Sequence, residues 1–201
     1  MFGILFALAC TSEIDNKQAA EVKDVVEAPK KEGKPAEEAK TEEPPKAAPG
    51  LALASTSTIE WVGAKVTGDH SGGFKVFSGL AQVEEGKVVS LTAEIEMSSL
   101  FSDAEKLTGH LLSADFFDAE KFPKAMFSST KIEEGNITGI LDMRMIKKEI
   151  TFPAKLTVSD QSVDIQGEFT INRRLWDINY DGKANDLIKD DVLIKLNVQY
   201  K

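Results

Sequence analysis

The feature that most constrains this chain is a period of two that sets in beyond Thr56 and runs to the C-terminus. In "DVLIKLNVQY", Val192, Ile194, Leu196, Val198 and Tyr200 share one face, with Lys195, Asn197 and Gln199 on the other. In "VVSLTAEIEM", Val89, Leu91, Ala93, Ile95 and Met97 alternate with Ser90, Thr92, Glu94 and Glu96. "SVDIQGEFTI" and "ITFPAKLTV" repeat the pattern, the first through Val163, Ile165, Phe169 and Ile171, the second through Ile150, Phe152, Ala154, Leu156 and Val158. A strand turns successive side chains to opposite faces, so this alternation predicts antiparallel sheet with one buried and one wet face.

"STIEWVGAKV", "GFKVFSGLAQV", "AMFSSTKI" and "NITGILDMRMI" alternate less strictly, but turn residues bound them as they bound strands. "EEGK" (84–87), "EEGN" (133–136) and "SDQS" (159–162) separate successive runs by hairpin-length gaps. About eight strands in meander order follow, which favours an up-and-down barrel or a curled sandwich. A barrel of that size is filled by side chains or holds one small ligand, and the period does not decide between the two. The longer segment after Met97 breaks the pattern. "SDAEKLTGHLL" has an acidic first turn and Ala104, Leu107 and Leu111 at helical spacing, predicting a short helix capped by Ser102 or Asp103. "SADFFDAEKF" predicts a further single turn before Pro123.

The first fifty residues differ. "MFGILFALAC" (1–10) is too short to cross a bilayer and reads as the end of a secretory signal peptide. Its Ala-Cys ending resembles the lipobox of bacterial lipoproteins, which makes Cys10 the candidate lipidation site; the alternative is an unmodified cysteine in a disordered leader. Cys10 is the sole cysteine, so no intramolecular disulfide forms. Residues 11–55 lack aromatics and are dominated by Lys, Glu, Ala and Pro, which predicts a disordered tether. Such a tether spans about 35–40 Å as a coil. The folded domain is then expected over 56–201, behind a membrane anchor and a polar stalk. A formal charge of −9 disfavours nucleic acid as a partner.

Four stretches carry a family resemblance: "IEWVGAKVTGDHSGGFKVFSG" (59–79), "KLTGHLLSADFFDAEKFPKAMFSS" (106–129), "ITGILDMRMIKKEITFPAKL" (137–156) and "FTINRRLWDINYDG" (169–182). In that order they resemble the YceI-like family of bacterial, lipocalin-like, polyisoprenoid-binding proteins, in its lipoprotein branch. The resemblance implies an all-β, eight-stranded antiparallel lipocalin-like barrel with a short helical insertion. It further implies export, an apolar guest such as an isoprenoid or quinone-like lipid, and binding without catalysis. Relatives are sometimes dimeric, so a homodimer is compatible. Asp177 stands where the family usually has Gly, and Met145 and Lys147 replace its usual Gly and Thr.

The candidate apolar lining is Trp61, Phe74, Leu91, Ile95, Phe127, Phe169, Val192 and Ile194, all on faces that alternate toward the interior. The same residues would equally fill a solid core, giving a structural or interaction lipoprotein. Phe116, Phe117, Phe122 and Phe127 are placed to close one end. His70, Arg173 and Tyr180 are candidates for a polar mouth. His110 and Asp115 read as loop anchors; a hydrolase or metal site built on them is the third reading. A metal needs at least three converging ligands, and only His70 offers a second imidazole. No catalytic residue, metal or cofactor is expected beyond the lipid. The layout places the protein in the periplasm or cell envelope, held by its N-terminal lipid, with the outer membrane favoured because no acidic residue follows Cys10.

Overall fold

The longest alternating run is also the longest strand, Asp186–Tyr200. The computed structural model describes residues 12–25, 50–159 and 161–201. In chain order its first strands are β1 (Glu21–Asp24), β2 (Leu51–Ala52), β3 (Thr58–Lys65), β4 (Gly68–Phe74), β5 (Phe77–Ser78), β6 (Leu80–Glu84), β7 (Lys87–Glu96) and β8 (Leu100–Ser102). After the helix α1 (Glu105–Leu112) come β9 (Lys124–Glu133), β10 (Asn136–Met143), β11 (Ile146–Pro153) and β12 (Lys155–Val158). The chain ends with β13 (Val163–Asn172), β14 (Gly182–Lys183) and β15 (Asp186–Tyr200).

These strands form two antiparallel sheets. One runs β1-β11-β10-β9-β7-β6-β2 with β5 on β7; the other runs β12-β13-β15-β3-β4-β8 with β14 on β15. The all-β antiparallel expectation holds, but a single closed eight-stranded ladder is not what the described residues form. Strands pass between the sheets at points where the ladder breaks. Ala154 separates β11 from β12, and its amide bonds the Gly135 carbonyl at 3.0 Å. The 3-10 turn Met97–Ser99 separates β7 from β8. A third link is the segment 51–54. The Leu53 amide donates to Gly79 O of the first sheet at 3.0 Å, while Ala54 donates to Gln199 O of the second at 2.7 Å.

Between the sheets lies the core, where Phe152 stacks on Phe169 with centroids 4.4 Å apart and Phe127 meets Phe152 at 5.7 Å. Strand β4 comes from "GDHSGGF", which shows no apolar alternation. Gly72 explains the composition: a Cβ there would lie 2.0 Å from Phe101 O and 2.5 Å from Cζ2 of Trp61. The bare backbone is what lets β8 and the indole close on β4.

Two expectations need correction. The tether predicted over 11–55 does not describe residues 12–25, which are bound to the second sheet and to the edge of the first. A 3-10 turn, Glu13–Asn16, is capped by Ser12, and its Ile14, 5% exposed, packs with Val62, Ala64 and Leu193. Ala20 N and Thr170 N donate to Thr170 O and Gln18 O at 2.8 and 3.0 Å, and β1 pairs with β11 from Glu21↔Thr151 to Asp24↔Lys148. Ion pairs of Lys17 with Glu168, Lys189 with Asp15 and Lys195 with Glu13 hold this strap across the face. A single isoleucine in a polar run leaves no periodicity to detect. Sheet structure likewise begins at Leu51, ahead of the predicted boundary at 56. Cys10 and residues 26–49 lie outside the described residues.

The helix is the second correction. Its N-cap is Ala104, without a side-chain cap, whereas Ser102 Oγ lies 2.9 Å from Thr108 Oγ1 and donates to Ala104 O at 2.7 Å. The turn predicted over "SADFFDAEKF" is present, as a run of turns from Ala114 to Lys121.

Candidate functional site

An internal cavity of about 380 Å³ lies between the sheets. Seven of the eight predicted lining residues border it: Trp61, Phe74, Ile95, Phe127, Phe169, Val192 and Ile194. Leu91 does not; it is buried but sits further along β7, paired with Ala81. Of the helical insertion, sequence reasoning placed Phe116 and Phe117 at one end but missed Leu107 and Leu111. Leu107 and Leu111 of α1, with Phe116 and Phe117 after it, close over the cavity from one side. The helical spacing of the two leucines was the available signal. Phe122 does not join them, and lies beside the Arg144 guanidinium at 5.3 Å from its ring centroid.

Four lining residues carry a titratable group, and each is engaged. Lys65 Nζ pairs with Asp186 at 2.8 Å, which holds the Asp186 carboxyl below its ordinary range. His70 Nδ1 lies 3.0 Å from Asp103 Oδ1. Arg173 donates to Ile178 O at 2.6 Å, Lys189 O at 3.2 Å and Asp190 Oδ1 at 3.1 Å. Tyr200 donates to Thr92 O at 3.0 Å, and burial raises its hydroxyl to about 12. Lys65, His70 and Arg173 gather at the end of the sheets where β3 turns into β4 and β13 ends. The opposite end is apolar apart from Tyr200.

The candidate polar mouth is therefore rearranged. Arg173 is buried, 4% exposed, and is held by Ile178 of its own loop and by Lys189 and Asp190 of β15; burial pulls its pKa down from the ordinary guanidinium value. Tyr180 does not border the cavity, because its ring packs on His110 and Phe116 at 4.8 and 5.0 Å. His110 Nε2 bonds Asp115 Oδ2 at 3.0 Å across the end of α1. Each imidazole thus has its own single carboxylate. Among the described residues no group of three His, Cys, Asp or Glu converges as a metal site would require. Nor is any helix there long and apolar enough to cross a membrane.

The departures noted at 145 and 177 fall where backbone conformation matters. Met145 and Asp177 both have φ of 63°, in the left-handed region that favours glycine. Their turns meet at one end, where Arg144 Nη1 donates to the carbonyls of Trp176, at 3.3 Å, and Asp177.

A β-fold of two sheets around an apolar cavity, with charged groups at one end, has the geometry of a site for an apolar small molecule. The YceI-like domain model matches residues 52–200, and the chain belongs to that family. A UPF0312 protein of Pseudomonas putida is 32% identical over 90 residues, 41% of this chain and 47% of the relative. One from Staphylococcus aureus is 30% identical over 105 residues, 49% of this chain and 61% of the relative. The chain thus spans about half the length of the curated relatives it matches. Among solved structures, Burkholderia cenocepacia BcnA superposes with a TM-score of 0.65 at 21% identity, covering 72% of this chain and 96% of that one. A polyisoprenoid binding domain from Saccharophagus degradans, implicated in plant cell wall breakdown, gives 0.62 at 14% identity, covering 76% and 99%.

Proposed function

We propose that the protein sequesters or carries an elongated apolar molecule, an isoprenoid or quinone-like lipid, in the cavity between its sheets. The observation that carries this reading is the apolar cavity of about 380 Å³ whose only charged lining groups sit at one end. Each methylene moved from water into it is worth about 0.8 kcal/mol, so chain length drives affinity while the charged end orients a head. The Saccharophagus neighbour, a polyisoprenoid binding domain, supports the choice of guest. The leader ending at Cys10 supports export and lipidation there, which would hold the protein in the cell envelope, at the outer membrane. The guest would be collected from or delivered to the membrane that carries the anchor.

Native mass spectrometry with lipid extraction, on the Cys10→Ser chain expressed in bacteria, tests the reading. A co-purifying or exchangeable isoprenoid or quinone is expected. A protein that is consistently empty and takes up neither is a filled structural barrel instead.

A further inference from the structure

The two ends of the fold differ in what they expose. At one end the turns read "EEGK" and "EEGN", polar throughout. At the other, Met145 is 83% exposed, Val66 72%, Leu187 52% and Leu175 38%. Met145 and Val66 are the two most exposed large apolar side chains among the described residues. All four belong to one rim. The Val66 amide donates to Leu187 O at 3.1 Å, and Arg144, beside Met145, bonds the carbonyls just after Leu175. Three carboxylates on this rim are matched by cations, Asp186 by Lys65 and Asp181 and Asp190 by Arg174, while Asp69 and Asp177 accept hydrogen bonds from Ser12 and Asn179.

A second observation says what covers the rim. Ser12 Oγ donates to Asp69 Oδ2 at 3.0 Å, and Asp69 sits in the hairpin that carries Val66. The strap therefore starts at this rim. Cys10 is two residues before Ser12, so a group attached to it is tied within about 7 Å of chain of the same place. Lys65, His70 and Arg173, the polar lining of the cavity at this end, lie just beneath.

We infer that this rim is a bilayer-docking surface. Val66, Met145, Leu175 and Leu187 enter the boundary between headgroups and acyl chains, as the apolar faces of peripheral proteins do. The charged end of the cavity then faces the membrane, so a lipid guest crosses between bilayer and cavity without passing through bulk water. That last consequence rests on the carrier function proposed above, and the placing of an anchor at this rim on the Cys10 lipidation proposed with it; the exposed apolar side chains do not depend on either.

The test uses two single-cysteine chains in the Cys10→Ser background, Met145→Cys at the rim and Glu134→Cys at the opposite end, each labelled with an environment-sensitive nitrobenzoxadiazole. Vesicles of equal parts phosphatidylethanolamine and phosphatidylglycerol carry a doxyl-labelled phosphatidylcholine as quencher. Docking predicts a blue shift and quenching of the label at 145 with the label at 134 unchanged. Val66→Asp with Leu187→Asp should abolish that quenching while the unfolding temperature stays the same. Equal responses at both positions, or none at either, overturn the inference, the former assigning membrane binding to the leader alone. A blue shift at 145 without vesicles, with doubled mass in light scattering, assigns the rim to a second copy and also overturns it. A chain that docks but extracts no lipid leaves the docking intact and removes the carrier function, so the two failures are distinguishable.

Discussion

His110 Nε2 lies 3.0 Å from Asp115 Oδ2, while the same ring is met edge-on by Phe116 at 5.1 Å and Tyr180 at 4.8 Å. The pairing ties the end of α1 to the following turn, and the aromatic contacts tie both to the loop after β13. The carboxylate is 63% exposed, so its hydrogen bond with the imidazole contributes at most about 1 kcal/mol. Two edge-to-face contacts contribute about 0.5–1.5 kcal/mol each. His110→Ala should therefore cost about 2 kcal/mol in denaturant unfolding and Asp115→Ala less than about 1 kcal/mol. Lipid uptake should survive both. Its loss in Asp115→Ala, with stability unchanged, would return the pair to a chemical role.

The strap should release in acid. Hydrogen bonds from Lys189 and Lys17 hold the carboxyls of Asp15 and Glu168 below their ordinary 3.8 and 4.5. A carboxylate with a depressed folded-state pKa contributes stability above its unfolded value and loses it as pH falls through the folded one. Lys17, raised from 10.5 by its bond to Glu168, loses its share only above that value. Attachment of the strap is thus fully supported between about pH 4.5 and 10.5 and weakens below about pH 4. Amide NMR signals of Ala20 and Thr170 should move together in that acid window. Ile14→Ala removes the one buried side chain of the turn and should shift the release to higher pH.

Legibility in the sequence followed how local each cause is. Strands β7, β11, β13 and β15 were readable because burial of one face imposes alternation along the strand itself. The inward set followed directly, and Trp61, Phe169 and Ile194 do face the cavity. Strand β4 was hidden because its glycines answer to Trp61 and Phe101, whose approach no local window encodes. The strap was hidden for the same reason, since Ile14 finds its partners on β3 and β15. Burial of Arg173 was not legible because the carbonyls of Ile178 and Lys189 that accept from it are backbone groups, invisible in composition. Continuity of the barrel was also beyond reach: it depends on single breaks such as Ala154, which fits the alternation of "ITFPAKLTV" without fault.

A filled interior and an open cavity respond oppositely to added volume. Val192 borders the cavity. If that space is empty or holds an exchangeable guest, Val192→Phe projects into it at little cost and competes with the lipid. In a packed core the same change costs about 1–3 kcal/mol. The expected outcome is an unfolding temperature within a few degrees of the parent and at least a tenfold weaker uptake of an isoprenoid alcohol. A large destabilisation would place side chains where the cavity is.

Met145 holds a left-handed backbone without any packing gain, being 83% exposed with φ of 63°. Met145→Gly should stabilise the protein, because glycine adopts this region without the Cβ penalty of about 1 kcal/mol, partly offset by the greater freedom of its unfolded chain. A net gain of about 0.5 kcal/mol in urea unfolding is expected. The same variant removes the most exposed apolar group of the rim, so it should weaken vesicle docking while raising stability. Stability and docking falling together would instead mean that the Met145 side chain packs against a neighbour.

Tyr200 should give the protein an alkaline limit. Its hydroxyl donates to Thr92 O across the interior, and burial raises its pKa from 10.0 to about 12. A group whose folded pKa is raised lends stability that is complete below the unfolded value and disappears as pH climbs through the folded one. The window is therefore pH 10 to about 12. Crossing it removes up to about 2.7 kcal/mol of stability, at about 1.36 kcal/mol for each pH unit between the two values. Tyr180 is the only other tyrosine, so a Tyr180→Phe chain lets tyrosinate absorbance report on Tyr200 alone. Its titration should lag that of an ordinary tyrosine and coincide with unfolding seen by circular dichroism. Tyr200→Phe should lose about 1 kcal/mol at neutral pH with the hydrogen bond, yet outlast the parent above about pH 11. A titration at the ordinary value with the fold intact would mean that the hydroxyl reaches water, and that this end of the cavity is open.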